Sequence, residues 1–238
     1  MSSTIKLITF DLDDTLWDVR PALEAAEAAQ WSYLKARFPS LALAATPREQ
    51  IADLRRSLLE ERPELMHHIS LLRQSFIERL LQHHDVPDGE AESAAREAFA
   101  AFLSQRHQVV VYANAQSVLN TLGRQFQLGA LTNGNADVRK TEIGSCFDYA
   151  WRAEEFGVSK PDPALFHRAF EAAGVSAGEV IHIGDCHDND VSGAISAGAK
   201  AIWFTPHGSA SEIASGVVKE LSELPAAIER LSGHEGLV

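Results

Sequence analysis

The chain is poor in cysteine, in cations and in long apolar runs. Cysteine occurs only at Cys146 and Cys186 in 238 residues. Two distant cysteines offer no disulfide framework and point to a reduced, cytoplasmic setting. Lys and Arg number 21 against 33 Asp and Glu, a formal net charge of −12. A surface of that sign repels phosphodiester backbones and anionic headgroups, so neither nucleic acid nor a membrane is expected as a partner. No apolar stretch is long enough to cross a bilayer, and one Lys precedes the first predicted strand, so neither a signal peptide nor a membrane span is expected. Internal repeats and low-complexity segments are also missing. What remains is a chain with 45% hydrophobic residues, ordinary for a soluble globular protein. Its length suits one large α/β domain, or a core domain with a smaller insert.

The pattern is organised around Phe10-Asp11-Leu12-Asp13-Asp14-Thr15-Leu16-Trp17-Asp18. The run Ile5-Lys6-Leu7-Ile8-Thr9-Phe10 before it is short, apolar and β-branched, as in a buried parallel strand. Carboxylates at the end of such a strand are costly unless a cation or hydrogen-bond donors meet them. A loop that caps a strand would explain a lone Asp-x-Asp. Here three later stretches answer it: Leu131-Thr132-Asn133-Gly134-Asn135, Ser159-Lys160-Pro161-Asp162-Pro163, and Gly184-Asp185 followed by Asp190.

From about Trp17 to about Gln105 the pattern is helical throughout. Arg20 to Phe38 is rich in Ala and Glu, and Thr46-Pro47-Arg48-Glu49 has the form of a capping box with Pro at the first helical position. Leu65, Ile69, Leu72, Phe76 and Leu80 fall at helical spacing, and Asp88 opens a further helix through Leu103. Residues 17–105 are therefore expected to form an inserted all-helical cap domain. Residues 1–16 and 106–238 are expected to form a Rossmann-like core with a doubly wound parallel sheet. After Val109, Asn114 is expected to cap a helix through Leu122. Strands are expected at Gln127–Thr132, Phe147–Trp151, Val180–Gly184 and Lys200–Phe204, with helix starts at Asp162-Pro163 and Ser176-x-x-Glu179. A last helix is expected over about Glu220 to Leu231, with a frayed tail from Ser232 to Val238. Asp11, Thr132-Asn133 and Asp185 each follow or end a predicted strand, and ligands in such sheets bind beyond the carboxyl ends of the strands.

The four stretches, in this order, resemble the motifs of the haloacid dehalogenase-like (HAD) superfamily, and the resemblance covers nearly the whole chain. Leu-Asp-Asp-Thr-Leu-Trp-Asp with Arg20-Pro21 behind it, and Thr-Asn-Gly-Asn-Ala later, look most like flavin mononucleotide phosphatase-like members. The resemblance implies an Asp11 nucleophile that forms an aspartyl-phosphate. It implies Mg²⁺ held by Asp11, the main-chain carbonyl of Asp13, and Asp185. Asp13 becomes the general acid and base. Thr132, Asn133 and Gly134 meet the phosphoryl oxygens, with Thr132 and Lys160 counted among the catalytic groups. Lys160 offsets the charge of Asp11 and phosphate, and Asp190 supports Lys160 or a metal-bound water.

The expected activity is hydrolysis of a small phosphorylated metabolite, with flavin mononucleotide or the phosphorylated ribitylamino-uracil precursor of riboflavin leading. Sugar phosphates, nucleoside monophosphates and phosphoglycolate remain alternatives. Haloacid dehalogenases of this superfamily lack a carboxylate two residues after the nucleophile, so Asp13 speaks against that rival, and the intact set of site residues speaks against a noncatalytic binding protein. His67, His68, His83 and His84 are expected at the surface, since adjacent residues do not share a helix face. Cys186 is read as a small spacer. Arg73, Trp31 and Tyr33 are read as packing or flanking groups.

Overall fold

The computed structural model describes residues 4–233. The chain divides into two compact units, one running to Val19 and resuming at Val109, the other spanning Arg20–Gln108. The expected frayed tail lies, from residue 234 on, outside the described residues.

The first unit is built on six parallel strands: β1 (Leu7–Phe10), β2 (Gln127–Thr132), β3 (Tyr149–Arg152), β4 (Val180–Gly184), β5 (Lys200–Phe204) and β6 (Gly216–Val218), in spatial order β3-β2-β1-β4-β5-β6. Side chains alternate between the two faces. Ile8, Phe10, Leu128, Ile181 and Ile183 pack with the helix at Ala115–Leu122 and the C-terminal helix at Leu224–Ser232. Leu7, Leu131, Val180 and Ala201 pack on the other face with the helix at Pro163–Ala172 and the short one at Gly193–Ser196. Helices cover both faces, as a parallel sheet requires. The sheet is therefore doubly wound and Rossmann-like, as expected. Strand order reverses at β1, so the carboxyl ends of β2, β1 and β4 lie side by side.

The second unit contains four helices, α1 (Val19–Arg37, whose first residue belongs to the other unit), α2 (Arg48–Glu61), α3 (Ile69–His83) and α4 (Asp88–Arg106). Leu34 and Phe38 pack with Ile77, Leu80 and Leu81 of α3 and with Ala91, Ala94, Ala95 and Ala98 of α4. The alanines let α4 lie close along α3. Leu58, Leu65 and Leu72 join α2 to this bundle. A cavity of about 260 Å³ opens among Gln30, Trp31, Ile51, Leu72, Arg73 and Phe76. No helix among the described residues is long and apolar enough to cross a membrane.

Several local expectations change. Strand β1 begins at Leu7 rather than Ile5, and β3 covers Tyr149–Arg152 rather than Phe147–Trp151. The three-residue β6 was not anticipated, being too short to show an alternating pattern. The capping box at Thr46 does not form: its hydroxyl donates to the Leu43 carbonyl at 2.8 Å and lies 2.8 Å from His84 Nε2, and Pro47 takes the cap position. The apolar stripe is broken, because Leu65 sits on a 3₁₀ turn at Pro63–His67 and Ile69 is 40% exposed. Asn114 occupies the cap position with φ 68° and makes no side-chain cap bond. Ser176 and Glu179 do form a capping box, but around a single 3₁₀ turn that enters β4 directly. The last helix starts at Leu224, after a 3₁₀ turn at Leu221–Glu223.

Gly129, in the centre of β2, shows how tightly the sheet is covered. A Cβ there would lie 2.7 Å from Trp151 Cζ3 and 3.3 Å from Thr9 Cγ2. Gly129→Ala is expected to destabilise the fold by about 1–3 kcal/mol through overpacking. Urea denaturation checks this, with a lowered midpoint and an unchanged slope expected.

Candidate active site

Each strand that ends at the switch point delivers one piece of the site. The Asp11 main-chain N–H donates to Ile183 O at 2.8 Å, so β1 pairs with β4 to its last residue and releases the chain only beyond it. Thr15 and Leu16 N–H groups then return to Leu12 O at 3.2 and 2.8 Å, closing one helical turn. Asp14 takes φ 60°, and its N–H donates to Trp17 O at 2.7 Å. The turn brings Asp11, Asp13 and Asp14 to one crevice of about 180 Å³, also lined by Thr132, Asn133, Gly134, Lys160, Asp185, Cys186, Asn189 and Asp190. All eight site residues expected from the sequence line this crevice: Asp11, Asp13, Thr132, Asn133, Gly134, Lys160, Asp185 and Asp190.

Lys160 is the hub. Its ammonium donates to Asp11 Oδ1 at 2.6 Å, to Asp190 Oδ1 at 2.6 Å and to the Leu131 carbonyl at 2.9 Å. The backbone of Lys160 is fixed by the Asn133 amide, which accepts from Lys160 N at 2.8 Å and donates to Lys160 O at 3.0 Å. The Asn133 side chain thus holds the lysine loop. Thr132 Oγ1 accepts from Gly134 N at 2.9 Å, which leaves its own proton free to donate.

Asp190 lies on a π-helical turn, His187–Ser192, after β4. Gly184 permits its approach, because a Cβ there would overlap the Asp190 carboxyl group. Asp190 Oδ2 accepts from Cys186 N at 3.0 Å, and Oδ1 is met by His182 Nε2 at 3.1 Å as well as by Lys160. Asp185 Oδ1 accepts from the Thr15 hydroxyl at 3.1 Å, while its carbonyl accepts from Trp203 Nε1 at 2.7 Å. Asp13 Oδ1 accepts from Trp17 Nε1 at 2.8 Å. Sequence reasoning assigned no role to Thr15, Trp17, His182 or Trp203. The available signals were a Thr and a Trp inside the first acidic stretch, and a His interrupting the apolar strand Val-Ile-His-Ile.

The charges do not balance. Burial pushes the Asp11 carboxyl up to about 8, with Asp190 and Asp13 adding to the rise and Lys160 opposing it. Asp185 is pushed up to about 6, by burial and then by Asp190. Burial works against the charge on Lys160, yet Asp11 and Asp190 hold its ammonium above the ordinary lysine range. Burial would also raise Asp190, but Lys160 and the His182 N–H keep it well below the usual carboxylate range. Lys160 thus pairs with Asp11 and Asp190, while Asp13 and Asp185 bring further carboxyl groups to the same crevice, so the acidic groups there outnumber the ammonium. Asp11, Asp185 and Asp190 each place an oxygen within 4.8 Å of the others. An oxygen-only cluster with excess negative charge fits a hard divalent cation.

The residues set aside earlier lie elsewhere. His84 meets Thr46 and stacks edge-on with His83, and neither belongs to a metal-capable cluster among the described residues. Arg73 lies 4.0 Å over the Phe102 ring and pairs with Glu27, and the Tyr33 hydroxyl donates to Glu97.

Removal of the shared ammonium is expected to be severe. Lys160→Met, measured in EDTA at neutral pH, should lose about 3–5 kcal/mol of stability, because buried carboxylates are left unpaired. Without the ammonium, Asp11 would rise further above its unfolded value, and Asp190, held low in the parent by Lys160, would rise as well. Protons then bind the folded state preferentially, so the deficit should shrink as pH falls through the raised values. Denaturant titrations of both proteins at neutral and mildly acidic pH check the magnitude and the sign.

The haloacid dehalogenase-like hydrolase family model matches residues 5–198. A 5-amino-6-(5-phospho-D-ribitylamino)uracil phosphatase of Escherichia coli is 33% identical over 85% of this chain and 84% of its own. The human N-acylneuraminate-9-phosphatase is 27% identical over 96% of both chains. Among solved structures, one described as a 2-haloacid dehalogenase from Pseudomonas syringae pv. Tomato is 41% identical, with a TM-score of 0.90 over 95% of this chain and 99% of that one. The fold, the match over most of the chain and these relatives together make this chain a member of the haloacid dehalogenase-like hydrolase family.

Proposed function

We propose that the chain is a Mg²⁺-dependent phosphomonoester hydrolase that works through an aspartyl-phosphate on Asp11. The observation that carries this reading is Asp13, a second carboxylate lining the same crevice as Asp11 and Lys160. Asp11 attacks phosphorus, and the bond to the leaving oxygen breaks as Asp13 gives that oxygen its proton. Asp13 then takes a proton from the water that attacks the aspartyl-phosphate, which releases inorganic phosphate and restores Asp11. Trp17 Nε1 donates to Asp13 Oδ1 and so holds this carboxyl group in place. Lys160, the Thr132 hydroxyl and the main-chain N–H of Asn133 oppose the charge that spreads over the phosphoryl oxygens, while the Gly134 N–H, bonded to Thr132 Oγ1, orients that hydroxyl. Asp11, the Asp13 carbonyl and Asp185 would hold Mg²⁺, whose charge offsets the approach of one anion to another.

The substrate is a small phosphorylated metabolite, with the helical unit acting as a cap that selects it. The phosphorylated ribitylamino-uracil leads, supported by the Escherichia coli relative, with flavin mononucleotide next. Free Cys146 and Cys186 support a cytoplasmic setting. The Pseudomonas syringae structure's description favours a second reading, dehalogenation of a 2-haloacid. That chemistry needs no proton for its leaving group and leaves Asp13 without a task.

Two variants separate the steps and the readings. Asp11→Asn should form no aspartyl-phosphate and show no activity. Asp13→Asn should slow hydrolysis of an alkyl phosphate by about 10²–10⁴-fold, because a basic alkoxide must leave unprotonated. p-Nitrophenolate leaves unaided, so Asp13→Asn mixed rapidly with p-nitrophenyl phosphate should give a burst approaching one product per site, then a slow phase. Parent-like turnover without a burst would remove Asp13 from its acid–base role. Chloride release from 2-chloropropionate at a rate above that of phosphate hydrolysis would favour the dehalogenase.

A further inference from the structure

A fully buried histidine lies behind the catalytic lysine, and the chemistry above leaves it without a task. His182 is in the middle of β4 and 0% exposed, directly opposite Thr9 of β1 in the strand register. Thr9 is equally buried. Their side chains meet, with Thr9 Oγ1 and His182 Nδ1 2.8 Å apart. The other ring nitrogen, Nε2, lies 3.1 Å from Asp190 Oδ1. The Phe166 ring packs edge-on against the imidazole at 5.2 Å and closes its remaining side.

The partners fix the tautomer. An ionised Asp190 only accepts hydrogen bonds, so Nε2 carries the proton. Nδ1 of the neutral ring is then an acceptor, and the Thr9 hydroxyl is its donor. The hydrogen bonds run in one direction, from Thr9 to His182 to Asp190. Asp190 Oδ1 also accepts from Lys160, whose ammonium reaches Asp11. Cys186 N holds the other oxygen of Asp190. With both oxygens engaged, the carboxylate cannot rotate away from Lys160. Apolar packing would fill the space of His182 equally well, but it would not supply the N–H.

We propose that His182, locked by Thr9 as the Nε2–H tautomer, is a positioning residue that orients Asp190 and through it holds the Lys160 ammonium against Asp11. It touches no reacting atom. Its contribution is to turnover: loss of the N–H lets Asp190 rotate and Lys160 drift from the line of attack. Substrate affinity is shared among the several groups lining the crevice, of which Lys160 is one, and should change much less than turnover. The kinetic part of the test rests on the phosphatase reading, while the tautomer does not.

Four variants and one spectrum test this. His182→Leu fills the space without a donor, and His182→Gln returns an N–H near the position of Nε2. Thr9→Val removes only the hydroxyl that fixes the tautomer. With p-nitrophenyl phosphate and Mg²⁺, His182→Leu should lower kcat by about tenfold to a hundredfold with KM within about twofold of the parent. His182→Gln should recover most of that loss, and Thr9→Val should lower kcat by a smaller factor in the same direction. In protein labelled with ¹⁵N-histidine, the signal missing from His182→Gln should show the Nε2–H tautomer, with a slowly exchanging proton that shifts in Asp190→Asn. Parent-like kcat in a folded His182→Leu, or equal losses in the Leu and Gln variants at equal stability, would overturn the proposal. So would an Nδ1–H tautomer. If His182→Leu fails to fold, Thr9→Val at the parent kcat overturns it as well. Should no phosphatase activity exist, the spectrum alone decides the tautomer lock.

Discussion

The site depends on one ammonium group shared between two buried carboxylates. Lys160 Nζ is 2.6 Å from both Asp11 and Asp190, and it reaches them from a loop far away in sequence. An ion pair taken out of water survives only when its remaining hydrogen-bonding positions are filled. Here the Leu131 carbonyl takes a further ammonium proton, and Asp190 is met by His182 and Cys186. The lysine loop is tied to the Thr132-Asn133 loop by the two hydrogen bonds of the Asn133 amide. Each of these contacts secures the position of Lys160, yet burial still raises the Asp11 and Asp185 carboxyl groups above their ordinary values. The site is rigid around its cation and unbalanced toward the crevice.

The sheet supplies this arrangement through its strand order. Strands β2, β1 and β4 are neighbours although they are distant in the chain, so three loops with different chemistry open onto one crevice. Parallel pairing keeps the strand ends level, and Asp11 N bonded to Ile183 O carries that pairing into the site. The small residues have matching roles. Gly184 lets Asp190 cross the end of β4, and Gly129 makes room for Trp151 on the face below. Rigidity at the strand ends is what allows a second layer, Trp17 on Asp13 and Thr15 on Asp185, to set the carboxylates.

Much of this was legible in the sequence because the functional groups sit at strand ends. An apolar run broken by Asp11, or closed by Thr132 or Gly184-Asp185, marks both the strand and the residue that leaves it. The second layer was not legible for a physical reason. Thr15 meets Asp185, and Thr9 meets His182, across more than 150 positions of chain; these pairs exist only once the register of β1 and β4 is known. Local signals failed where tertiary partners competed. Thr46 had the right neighbours for a capping box but gave its hydroxyl to Leu43, and Ser176 with Glu179 made the box without a helix to follow. In the helical unit, periodicity placed Leu65 and Ile69 on one stripe, whereas the turn at Pro63 separates them.

The claim on which the rest stands is that Asp11 and Asp185, whose carboxyl groups burial raises, ionise on taking up a divalent cation. Calorimetric titration of Mg²⁺ into the parent chain and into Asp185→Asn tests it most directly. One site per chain is expected for the parent, with affinity weakened by about tenfold or more in the variant. Equal binding by the two proteins, or full hydrolytic activity of the parent in excess EDTA, would contradict it.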